Sequence, residues 1–145
     1  MLAKDYPDHH DAELLLKLYD MRRENVMRES RAAINAKYLP KSAEEAVAVM
    51  KSDHPLNSAF RQVVTYWEMV YGMVKWGVLH ADFMMESSSE GLLLYARAER
   101  FIEEIRTQGN PNYFVNAEWI ATNTDAGRRA CERYRARVKR ALEAK

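Results

Sequence analysis

The sequence predicts an all-α protein: one multi-helix bundle of about five to seven helices, with no sheet. Three observations carry this. Glycine and proline are scarce, five and four in 145 residues, so few turns interrupt the chain. Apolar residues recur at spacings of three and four, and nowhere alternate as a half-buried strand requires. The breaks between apolar runs carry helix-start chemistry rather than hairpin chemistry.

The elements follow in order. Over residues 9–38, Ala12, Leu15, Leu16, Tyr19, Val26, Ala33 and Ile34 form one stripe with charge elsewhere. Ser42-Ala43-Glu44-Glu45 fits a capping box, in which the serine hydroxyl and the glutamate satisfy each other's end of the first turn. It opens a short helix over 42–51 through Ala46, Val47 and Met50. Residues 56–76 place Phe60, Val63, Val64, Trp67, Val70, Tyr71 and Val74 at three and four. Leu79–Glu86 reads as a short helix. Ser87-Ser88-Ser89-Glu90 fits a second capping box and opens 89–107, with Leu94, Tyr95, Ala98, Phe101, Ile102 and Ile105 on one face. Gly109 is placed to end that helix in the left-handed conformation. Asn110-Pro111 puts a capping amide before a proline at a first helical position. Tyr113–Ala121 and Asp125–Ala144 complete the set.

A chain of 145 residues fits one domain, here 1–145, large enough to bury a core without a disulfide or a metal. Hydrophobic residues at 48% and charged residues at 30% are globular proportions. The single Cys131 excludes an intrachain disulfide and implies a reducing, cytoplasmic setting. Met1–Pro7 is polar, and Asp5 and Asp8 sit where the basic region of a signal peptide would be, so none is expected.

The densest stretch is "TYWEMVYGMVKWGVLHADFMMES", residues 65–87, with two Trp, two Tyr, a Phe and four of the eight Met. Glu68, Lys75, His80 and Asp82 interrupt it, and each costs about 2.5–3.5 kcal/mol or less at a bilayer centre depending on type and depth, so no membrane span is expected. The reading is a central helix acting as the spine of the core. A pocket lined by Glu68, Tyr71, Trp76 and His80 is the alternative, because a buried carboxylate with a raised pKa suits general acid–base chemistry. Glu68 paired with a neighbouring cation is the plainer expectation.

Other chemistry is sparse. His9 and Glu13 have the spacing of a helical ligand pair, yet no second pair accompanies them, and His9 and His10 read as a solvated first turn. No metal and no cofactor are expected. No nucleophile motif and no phosphate-binding glycine loop occur, so no catalytic residue is assigned. Cys131 reads as a buried, inert thiol.

Charge is uneven. Residues 125–145 hold eight Lys or Arg against three Asp or Glu, a net of +5, while the rest of the chain carries −4. Arg128, Arg129, Arg133, Arg137 and Arg140 are the candidate anion-binding residues, suited to phosphate backbones or an anionic surface. A packed terminal helix facing an acidic body is the plainer reading.

The run from Trp67-Glu68 and Gly72 through "WGVLHADF", "IEEIR" and "NYFVNAEWIA" resembles a group of bacterial helical domains of unknown function. Some members of that group carry an N-terminal membrane helix, and residues 1–40 show none here. The resemblance implies a bacterial, largely helical, non-enzymatic protein and supplies no catalytic residue. The resulting expectation is an interaction or regulatory module. It has a protein partner or forms a homo-oligomer, with its first and last helices as contact surfaces. Nucleic acid is the less favoured partner.

Overall fold

The computed structural model describes residues 4–144. Among them lie nine α-helices and one 3-10 turn, with no strand: α1 His9–Arg23, α2 Asn25–Lys37, α3 Ala43–Ala48, α4 Asn57–Lys75, α5 Ala81–Ser87, α6 Glu90–Ala98, the 3-10 turn Glu99–Phe101, α7 Ile102–Gln108, α8 Val115–Asn123 and α9 Asp125–Glu143. The predicted class holds, and the predicted number of five to seven is too low. Two predicted segments are each divided.

The first division falls at Glu24. Its backbone is extended, and its side chain accepts from the N–H groups of Val26 and Met27, so one residue ends α1 and caps α2. The break resets the helical phase. Leu16, Tyr19 and Val26, expected on the buried stripe, are exposed; Ile34 is buried as expected, and Leu18, Arg22, Met27 and Ser30, not expected there, are buried as well. The second division is the 3-10 turn, where Arg100 donates to the carbonyl of Pro40 and its guanidinium lies over the Phe101 ring.

Ser42 caps α3 through the Glu45 N–H, while Glu45 reaches the N–H of Lys41 rather than that of Ser42. The other predicted starts differ. Ser87 is the last residue of α5 rather than a cap, and Glu90 is drawn away by Arg31. Gly109 follows α7 with φ −118°, not left-handed. The side chain of Asn110 accepts from Asn112 N–H, so Asn110-Pro111 makes a tight turn and α8 begins only at Val115. The left-handed glycine is Gly77, with φ 76°, which turns the chain after α4.

The central helix is α4, packed between α2 and α8; α9 closes over α6 and α8, α3 sits on α7, and α1 rests on α2 and α5. Phe60 is fully buried and its ring meets Tyr38, Tyr113 and Phe114 at centroid separations of 5.1, 5.9 and 6.3 Å. Tilted and edge-on aromatic contacts of this kind add to simple burial. No described helix is long and apolar enough to cross a membrane.

Candidate functional site

Glu68 projects from α4 onto the start of α8. Its Oε1 accepts from Asn116 N–H at 2.8 Å and its Oε2 from Ala117 N–H at 2.9 Å. Asn116 returns a bond from Nδ2 to the carbonyl of Glu68 at 3.0 Å. The residue in the cap position of α8, Phe114, has φ 64° and offers no side-chain acceptor. The first amides of α8 are therefore satisfied by a carboxylate 48 residues earlier in the chain. Burial raises the Glu68 carboxyl above the ordinary glutamate value; the two amides, then Arg106 and Lys75, pull it back only in part. Arg106 makes no bond to Glu68. It braces the same turn, donating to the carbonyl of Tyr113 and pairing with Glu118 at 3.3 Å.

Tyr71 is fully buried, stacked on Trp67 with ring centroids 5.6 Å apart. Gly91, near the start of α6, lies against both rings. A Cβ there would come within 2.5 Å of the Tyr71 hydroxyl and 2.7 Å of the Trp67 ring. Close approach, not a special φ, is the reason for glycine at this position. Burial drives the Tyr71 hydroxyl well above its ordinary pKa. On the other side of Trp67, the buried guanidinium of Arg22 lies 5.6 Å from the ring centroid.

His80 caps α5, its Nδ1 accepting from Phe83 N–H. Its own N–H donates to Asp11 Oδ1 at 2.7 Å. Asp11 has no exposed surface and also accepts from Lys4 Nζ at 2.6 Å and Asp8 N–H at 2.8 Å. It ties the N-terminus, α1 and α5 together. Burial alone would raise its carboxyl; Lys4 and the two amides outweigh that and hold it at about 2. The Asp8–Asp11 spacing signals the capping box that the two form at the start of α1, but nothing near residue 11 signals the bonds from Lys4 and His80. Among the described residues no three His, Cys, Asp or Glu side chains gather as metal ligands would.

Trp76 departs furthest from expectation. It ends α4 and is 70% exposed, not part of the core. Met69, one helical repeat earlier on the same outer face, is exposed as well, as are Val78 and Val115. Gly72 lies between Met69 and Trp76, in contact with the side chain of Asn116. Glu68, Tyr71, Trp76 and His80 thus have four separate placements: a helix start, the interior, solvent and a second helix start.

The arginines of α9 divide into two groups. Arg128 is tied to Asp125 and to the carbonyl of Thr122, and Arg135 pairs with Glu99 at 2.9 Å. Arg129, Arg133, Arg137 and Arg140 are exposed and form no ion pair among the described residues. The opposite face is seated in the protein. Ala130, Cys131 and Val138 are buried, and Tyr134 Oη meets Ser89 Oγ at 2.7 Å. Burial lifts the Cys131 thiol to about 11.

Residues 7–124 match a family described as a domain of unknown function, DUF4760, and the chain belongs to that family. The matched stretch ends at Thr124, whose hydroxyl caps α9 by accepting from Gly127 N–H. No curated protein and no solved structure matches the chain.

Proposed function

We propose that this member of the DUF4760 family is a non-enzymatic helical module that acts by protein–protein contact, through the outer face of α4 and the adjoining start of α8. The single observation that carries the reading is Trp76, 70% exposed at the end of the central helix. Tryptophan and methionine are enriched where partners dock, and a large aromatic in water is the usual anchor of such a contact. Met69 of α4 and Val115 at the start of α8 are exposed apolar side chains as well. The two titratable groups of the predicted pocket are engaged elsewhere: Glu68 holds α8 and His80 holds α5. That engagement supports a structural role for both and a binding role for the face as a whole.

The test is site-specific photocrosslinking in the cell of origin. A benzophenone amino acid at position 76 should give discrete adducts, with a second copy of the chain or with another protein. The same probe at Lys51, also exposed, should not. Equal yields at the two positions, or none at 76, would refute the proposal.

A further inference from the structure

A second surface, independent of Trp76, is the outer row of α9. Arg129, Arg133, Arg137 and Arg140 fall at i, i+4, i+8 and i+11, so they occupy an arc of roughly 80° and a length of about 16 Å along the axis. All four are exposed and without an acidic partner among the described residues. Of the eight cations in residues 125–145, seven lie within α9, and six of those seven are arginine rather than lysine. Arginine presents a planar fork that matches a phosphate through paired bonds, where lysine offers only a point charge. Cations also crowd at the centre of the row: Arg97 of α6, half-buried with its Nη1 on the carbonyl of Ile34, stands close enough to feel the charge of Arg137. Asp82 and Glu86 of α5 face Arg129 and Arg133 across a cleft of about 360 Å³ without forming an ion pair with them, and Arg137 and Arg140 lie outside that cleft.

We infer that this row is a binding surface for the phosphate backbone of nucleic acid, read without regard to base sequence. Charge complementarity selects a polyanion, and a straight row of forks selects one whose charges are themselves strung in a line. A lipid surface fits less well. An interfacial helix needs apolar side chains beside its cations to enter the headgroup region, and here Ala130, Cys131 and Val138 point into the protein.

The experiment is fluorescence anisotropy of the full chain with a labelled duplex of arbitrary sequence, titrated at several salt concentrations. Four phosphate contacts give a slope of about −3.6 in log affinity against log salt, which weakens binding about 150-fold between about 50 and 200 mM. Reversing three charges together (R133E, R137E and R140E) should abolish most of the affinity and reduce the slope to about −1. Circular dichroism checks that the variant stays folded. The control reverses three exposed cations elsewhere, Lys41, Lys51 and Arg61, and makes the same change in net charge. No binding at low salt, a slope near zero, or equal losses in the two triple variants would overturn the inference. So would binding to phosphatidylserine vesicles or to polyglutamate as tight as binding to the duplex.

Discussion

Replacing Glu68 by alanine removes the acceptor for two amides, at 2.8 and 2.9 Å, and leaves the start of α8 without a cap. Bonds to a charged acceptor contribute about 1.5–3 kcal/mol each, and loss of a helix cap alone costs about 0.5–2 kcal/mol. Part of this is offset. The carboxylate is half-buried and burial raises its pKa, so removing it also removes a desolvation cost. A net loss of about 2.5 kcal/mol is expected, because the two bonds outweigh the burial of one partly solvated charge. For 145 residues the unfolding entropy is about 0.3 kcal/mol per kelvin, so Tm should fall by about 8 °C. Glu68→Gln, which keeps one acceptor, should fall by about half as much. Thermal unfolding by circular dichroism gives the number. Amide exchange localises it, since Asn116 and Ala117 should lose protection before the amides of α4. A Tm for Glu68→Ala within about 2 °C of the unmodified protein, with Asn116 and Ala117 still protected, would refute the capping argument.

Three further outcomes follow from the same structure. Gly91→Ala must force a methyl against Tyr71 and Trp67, and should cost about 1–3 kcal/mol or more in denaturant unfolding; a neutral result would mean that the α4–α6 contact is looser than described. Asp11 is held at about 2, below its unfolded value near 3.9, so the stability it contributes is complete above about pH 4 and is lost as pH falls toward 2. Asp11→Asn should therefore be destabilised at neutral pH, with the gap to the unmodified protein narrowing on acidification; a gap that does not change with pH would contradict the assignment. Cys131 should react with a thiol reagent only as fast as the protein opens, because its sulfur is buried and its pKa lies near 11; fast reaction in native buffer would count against the packing of α9.

The sequence made some of this legible and hid the rest for identifiable reasons. The central helix could be read because Phe60, Val63, Val64, Trp67, Val70, Tyr71 and Val74 keep one phase over about four turns, and all seven are buried. The divided first segment could not, because Glu24 carries no proline or glycine to mark it; a glutamate side chain capping the next helix looks like any other surface charge. The break shifts the face that α2 turns inward, so Val26 points to solvent and Met27 is buried, while Ile34 stays buried as its place in the stripe predicts. Composition alone puts Trp76 with the other aromatics of residues 65–87, yet at the C-terminal cap of α4 it is exposed. Glu68 stands out in the sequence as a carboxylate in the most apolar helix, where a cationic partner is the plainer expectation; its partners are instead backbone amides 48 and 49 residues away, which no side-chain pattern advertises. Asp11 was not singled out for its role because its environment is assembled from three separate parts of the chain. The four unpaired arginines of α9 were visible as charge; that Arg128 is occupied was not.

The separation of charge has a practical side. A molecule with +5 on residues 125–145 and −4 elsewhere behaves as a two-faced colloid, not as a sphere of charge +1. It should be retained on both cation- and anion-exchange resins at one pH, turning a different side to each, and concentrated stocks at low ionic strength should cloud as opposite faces find one another and clear again on adding salt.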